Sequence, residues 1–181
     1  MSTPGPNEIR ARVSARAFGN PVILNDFRGL VAETIVERAL EPTWRCCSGD
    51  WLGWDFEHLD KTRLEVKQSA ARQTWTAPKR PSPATFDIRT RSGYYIGNEW
   101  HPGVGRHAHI YVFAYHPIAE TAANHLDPNQ WVFYVLAAER LAANKTIGLA
   151  RVTSLTSAAR WEALLAAVEL VRSERTNSPR S

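Results

Sequence analysis

The stretch GWDFEHLDKTRLEVKQSA, residues 53–70, decides how this chain is read. Trp54 to Leu59 and Arg63 to Gln68 alternate apolar with polar side chains, the period of half-buried strands. Asp60-Lys61-Thr62 between them are turn residues, so the segment is predicted to be a β-hairpin. Phe56 and His58 fall on one side of the first strand, with Asp55 and Glu57 on the other. In the second strand Leu64 and Val66 oppose Glu65 and Lys67. An odd-numbered loop pairs Asp55 with Lys67 and Glu57 with Glu65, so that the odd-numbered side chains share one face. A two-residue turn would pair Asp55 with Val66 and send the acid to the wrong side. A three-residue loop, Asp60-Lys61-Thr62, supplies the required register.

Two carboxylates and an ammonium gathered on one face suit a hard, oxygen-seeking cation. Magnesium uses one or two carboxylates, completed by water and substrate phosphate oxygens. It lowers the pKa of a bound water and offsets charge developing on a phosphoryl group. A neighbouring lysine can orient or deprotonate that water, or counter charge in the transition state. The plainer alternative is a surface hairpin carrying an exposed Glu–Lys pair, which contributes little energetically.

Upstream, Asn25 or Asp26 is placed to cap a helix over Phe27–Leu40 that stops before Pro42. Phe27, Leu30, Val31 and Ile35 are expected to form its buried face, with Glu33 and Glu37 one turn apart on the flank. Thr43 to Ser48 reads as a strand and Ser48-Gly49-Asp50 as a turn. Downstream come a proline-rich loop (Pro78, Pro81, Pro83), a strand Phe86–Thr90 and a glycine-rich stretch to Arg106. Ala108–Tyr115 and Trp131–Ala137 are nearly continuous apolar runs, predicted to be central strands covered on both faces. A short helix is expected near Ala138. A last amphipathic helix carries Trp161, Leu164, Leu165, Val168 and Val171, capped near Thr156 or Ser157. The order is α, β, β, β, linker, β, β, α, a mixed α/β fold. Residues 1–20 read as a flexible basic arm, 21–175 as the folded domain and 176–181 as a disordered tail.

The helix with Glu33, then Trp54-Asp55, then Glu65-Val66-Lys67-Gln68 resembles the PD-(D/E)XK nuclease superfamily. Gly29-Leu30-Val31-Ala32-Glu33 is similar to its helical motif, Asp55 to its hairpin aspartate, and Glu65 with Lys67 to its E-x-K triplet. Trp54, rather than proline, precedes the aspartate. The resemblance implies a restriction-endonuclease-like αβββαβ core, a mixed sheet flanked by helices. It implies Mg²⁺, with Mn²⁺ as a substitute, held by Asp55, Glu65 and the Val66 carbonyl, with Glu33 assisting. Lys67 would activate the attacking water, Gln68 would complete the catalytic set, and a DNA phosphodiester would be cut by a nuclease, in first expectation an endonuclease. The alternative is a catalytically inactive nuclease-like module that binds nucleic acid or protein.

The charge distribution suits a polyanionic partner, although on charge alone a solvated loop that keeps the chain soluble is the plainer reading. The 22 basic and 18 acidic residues give a net charge of +4. Between Ser69 and Arg91 lie Arg72, Lys79, Arg80, Arg89 and Arg91 against Asp87 alone, and these five are the expected phosphate contacts. DNA is the expected partner, RNA the other polyanion of the same chemistry, and paired cuts on two strands would require a homodimer. With 181 residues, 44% hydrophobic and 22% charged, the chain is expected to bury a full core and not to be intrinsically disordered. No apolar run approaches the ~20 residues of a membrane span. The first twenty residues lack the apolar centre of a secretory leader. Two adjacent cysteines, Cys46 and Cys47, make no disulfide framework, and the expected location is the cytoplasm. His107 and His109 alternate on one strand face and His116 falls on the other, so a three-histidine zinc site is not expected. Trp131 and Trp161 fall on core patterns. Trp51, Trp54, Trp75 and Trp100 lie at loops or strand ends, where an aromatic ring more often covers the edge of a core and less often stacks on a base.

Overall fold

The computed structural model describes residues 3–47, 52–75 and 81–177. Its helices are α1 (Pro6–Phe18), α2 (Asn25–Leu40), α3 (Leu149–Leu155) and α4 (Leu164–Asn177). Five strands form one mixed sheet: β1 (Trp44–Cys46), β2 (Phe56–His58), β3 (Arg63–Ala70), β7 (Ile110–His116) and β8 (Val132–Ala137), paired in that order. β3 and β7 are parallel, and every other pair in this sheet is antiparallel. Two small antiparallel sheets stand outside it. One joins β4 (Thr85–Asp87) to β9 (Thr146–Gly148), the other β5 (Arg91–Ile96) to β6 (Glu99–Gly105).

The alternation seen in the sequence sorts the main sheet into two faces. Leu64, Val66, Ile110, Val112, Phe133 and Val135 pack with Val31, Ile35 and Val36 of α2 and Leu164 and Val168 of α4. The opposite face carries Tyr111, Phe113, Tyr134 and Leu136, packed with Phe86, Ile88, Ile147 and Val152. β7 is apolar at every position before His116 because it is covered on both sides, as expected of the continuous runs. β8 lies at the sheet's edge by pairing, but Phe133 exchanges backbone hydrogen bonds with Ala159, which closes part of that edge.

Several expectations are corrected. The N-terminal arm is helical over Pro6–Phe18, a segment with Pro at its first turn and Glu8 spaced to pair with Arg12. α2 begins at Asn25 with Leu24 at the cap position, so neither Asn25 nor Asp26 caps it. Asn25 is instead drawn to Arg28. Phe27 and Leu30 are exposed, and the buried stripe of α2 is Arg28, Val31, Ala32, Ile35, Val36 and Leu40. The crossover from β3 to β7 carries β4, β5 and β6 and, among the described residues, no helix. That differs from the αβββαβ order, and prolines 81 and 83 with four glycines over 93–105 disfavour one there. The stretch before Arg106 is a β-hairpin that its glycines concealed. The helix near Ala138 is a single 3₁₀ turn, and α3 was not anticipated. α4 starts at Leu164 after a 3₁₀ turn, not near Thr156, and runs to Asn177. The expected turn at 48–50 and the end of the tail lie outside the described residues.

Candidate active site

The loop joining β2 to β3 sets the register. His58 donates to the Thr62 carbonyl at 2.9 Å, and Lys61 donates to the His58 carbonyl at 2.9 Å. Lys61 adopts the left-handed conformation (φ 68°). The loop is therefore Leu59-Asp60-Lys61, a turn closed by one left-handed residue, and not Asp60-Lys61-Thr62. The odd count survives, and Glu65 and Lys67 share one face of β3, whereas Asp55 lies just before β2 and outside its regular pairing. The pairing shifts by two residues, with Glu57 opposite Arg63 and Phe56 opposite Leu64. Asp55 accordingly sits against Leu64–Val66 and not opposite Lys67. Its N–H meets the Leu64 carbonyl at 2.9 Å, and its carboxylate Oδ2 accepts the Val66 N–H at 2.6 Å.

This placement makes Asp55 electrostatically unusual. Burial pushes its pKa up, the charges of Glu65 and then Glu33 push it further, and the Val66 N–H and Lys67 only partly oppose them. The result is a carboxyl raised to about 8. Glu65 and Lys67, two residues apart on β3, form an ion pair whose side chains are 15% and 21% exposed. Three acids thus act on one locus with one lysine among them, and the surplus is negative. Glu57 does not join them: Lys61 Nζ holds it at 3.0 Å and Arg45 approaches at 3.8 Å. Glu37 lies half-buried on α2.

Gln68 is engaged by the first turn of α2. Its side-chain oxygen accepts from Arg28 Nε at 2.7 Å, and its amide donates to Asn25 at 3.3 Å. Arg28 is 1% exposed and also donates to Gln73 at 2.6 Å and Asn25 at 2.7 Å. Burial lowers its pKa to about 10. These amides anchor the first turn of α2 to β3, and with it the helix that carries Glu33. Arg28 was not singled out in the sequence; an arginine three residues after Asn25 gives no sign of being buried.

A cleft of about 430 Å³ opens over Glu65 and Lys67, walled by Arg89, Arg91, Tyr94 and Arg106. Arg89 and Arg91 both pair with Asp87, at 2.9 and 3.9 Å, so two guanidinium groups share one carboxylate. Arg106 donates to the carbonyls of Ile88 (2.7 Å) and Leu141 (3.3 Å), which fixes a further cation in the wall. Arg72 is half-buried with Nη1 closed off from solvent, and it does not line this cleft. Lys79 and Arg80 lie outside the described residues. Trp54 is 3% exposed beneath the Arg63 guanidinium, whose carbon stands 3.7 Å from the ring centre, and it packs into the core in place of stacking on a base. His107 packs against Tyr94 at 4.7 Å, and burial followed by the Arg63 charge holds its pKa below the usual value. The signal for the β5–β6 wall was present as Tyr94-Tyr95-Ile96, Gly97-Asn98, Glu99-Trp100, a two-residue turn flanked by strand formers.

The donors suit a hard divalent ion in kind and charge. Asp55 has one oxygen committed to Val66, and its pKa is raised first by burial and then by Glu65 and Glu33, the part of the penalty that a cation would relieve. Among the described residues no three His, Cys, Asp or Glu side chains form a ready-made cage. Two carboxylates with water and phosphate oxygens are the arrangement magnesium takes. No family model matches the chain, and no curated protein matches it.

Proposed function

We propose that the protein is a Mg²⁺-dependent nuclease that hydrolyses phosphodiester bonds of DNA. The observation that carries this is the convergence of Asp55, Glu65 and the Glu33 charge around a β-hairpin, with Lys67 beside them on the floor of a basic cleft. Asp55 and Glu65 would hold the metal, with Glu33 and the Val66 carbonyl as supporting oxygens. Mn²⁺ would substitute. When bound, the ion supplies an acidified water and a counter-charge for the phosphoryl oxygens.

The chain's own residues account for the remainder. Lys67 Nζ would orient the attacking water and offset charge as the P–O bond to water forms and one ester P–O bond breaks, the water's proton passing to solvent and the freed ester oxygen taking one from it. Glu65 holds Lys67 in place through their ion pair. Gln68, through Arg28 and Asn25, is a positioning residue for α2. Arg89 and Arg91 hold backbone phosphates over the floor and read no sequence.

Plasmid and linear DNA incubated with Mg²⁺ or Mn²⁺ test the proposal. Cleavage by the parent protein, abolished by EDTA and by Glu65→Ala or Lys67→Ala, is the expected result. Cleavage that survives both substitutions or ignores EDTA overturns the mechanism. Salt-sensitive DNA retention with no cleavage under any metal would favour the inactive binding module instead.

A further inference from the structure

We infer that the β5–β6 hairpin is a stacking platform for unpaired bases, so that the cleft takes single-stranded DNA in preference to duplex. The inference deepens the nuclease reading by naming the form of its substrate. The binding it describes does not depend on catalysis.

Tyr95 and Trp100 are directly paired across the hairpin, next to its Gly97-Asn98 turn. Both are large aromatic side chains left in solvent, 40% and 43% exposed. Their ring centres are 5.0 Å apart at an interplanar angle of 57°, so they are not stacked face to face. Each keeps a ring face for another partner. The platform is built, not incidental. A Cβ on Gly93 would stand 2.5 Å from the Trp100 indole and 2.4 Å from the His101 carbonyl, so the indole lies directly on bare backbone. Its orientation is fixed by that contact, which lowers the entropy cost of receiving a base.

Charge places the sugar–phosphate chain beside this platform. Arg89 and Arg91, each with a side chain 54% exposed, share Asp87 and leave one positive charge uncompensated within that trio. They line the same cleft as Tyr95, Trp100 and the Glu65–Lys67 pair. A strand with its phosphates on the arginines can turn its bases onto the aromatic rings while a phosphodiester lies over Lys67. A duplex cannot do this without opening, because its bases are already stacked and paired inside the helix. A sequence-tolerant preference follows, since every base offers a π-face.

Fluorescence anisotropy tests the platform on the intact protein in EDTA, where cleavage does not interfere. The probes are a labelled single-stranded oligonucleotide, the same strand annealed to its complement, and the same strand with its bases removed at consecutive abasic sites. The expected result is single-strand binding about ten-fold tighter than duplex, with a loss of about ten-fold on the abasic strand. Tyr95→Ala and Trp100→Ala should each weaken the single strand about five- to ten-fold, with Trp100→Phe recovering part of the loss. Circular dichroism confirms that each variant is folded. Equal affinity for strand and duplex, indifference to abasic sites, or unchanged binding by a folded Tyr95→Ala would overturn the inference. Any of these would leave metal-dependent cleavage untouched. Conversely, absence of cleavage with this preference intact would overturn the nuclease reading and leave the platform standing.

Discussion

The Val66 N–H points at the Asp55 carboxylate across 2.6 Å, where a neighbouring strand would ordinarily offer a backbone carbonyl. A side chain has taken a rung of the ladder, and the acid is thereby held beside Glu65 instead of swinging into solvent. Its raised pKa has a consequence for stability. An acid whose folded pKa lies above its unfolded value favours the fold when protonated. That contribution is complete below about pH 4 and is lost as pH rises toward 8. Asp55→Asn should therefore melt higher than the parent at pH 8, by about 3 °C or more, with the difference closing toward pH 4. Thermal melts across pH check this; a pH-independent difference would contradict it.

Metal should reverse the same penalty. Adding Mg²⁺ at pH 8 is expected to raise the melting temperature of the parent, because the proposed site is assembled only in the folded chain. Asp55→Asn and Glu65→Gln should show little or none of that rise. An equal rise in all three proteins would place the ion elsewhere.

Asp60, in the turn of the same hairpin, behaves in the opposite sense. Burial pushes its pKa up, but the Thr62 N–H at 3.0 Å, His58 at 2.9 Å and Arg172 at 2.6 Å outweigh burial and hold it well below the carboxylate range. Its contribution is present above about pH 4 and disappears as pH falls through the depressed value. Asp60→Asn is expected to lower the melting temperature at pH 7 by about 2–4 °C, and to do so less in acid.

Lys61 gives a test of the loop itself. At φ 68° a side chain is strained and glycine is not. Lys61→Gly should leave stability unchanged or raise it by up to about 1 kcal/mol, despite losing the ion pair to Glu57. Lys61→Val should lower it by about 1–2 kcal/mol. Urea unfolding distinguishes the two.

Arg28 is a buried cation bonded to three amide side chains. Arg28→Ala leaves Gln68 and Gln73 without their donor and is expected to cost about 2–4 kcal/mol by denaturant unfolding. Cleavage should fall more than folding alone explains, because Glu33 rides on the helix that Arg28 anchors.

Legibility of the sequence followed range of interaction. The hairpin, the placing of Glu65 and Lys67 on one strand face, and the two apolar central strands were readable because period and turn chemistry act over a few residues. The two-residue shift in register was not, since it depends on which residue enters the left-handed region, and lysine carries no signal for it. The exposure of Phe27 and Leu30 was missed for another reason. Helical spacing gives a stripe but not its centre, and a buried arginine displaced the stripe from where hydrophobicity alone put it. The β5–β6 wall was hidden by glycines that mark close contact, as at Gly93, and not only looseness.

The parallel pairing of β3 with β7 carries an implication for the order of events during synthesis. Leu64 to Ala70 obtain their second neighbour only from Ile110 to His116, which emerge much later from the ribosome. Until then, the segment bearing Glu65 and Lys67 has one open flank and no roof. The nascent chain thus cannot complete the strand under this cleft until its second half has arrived.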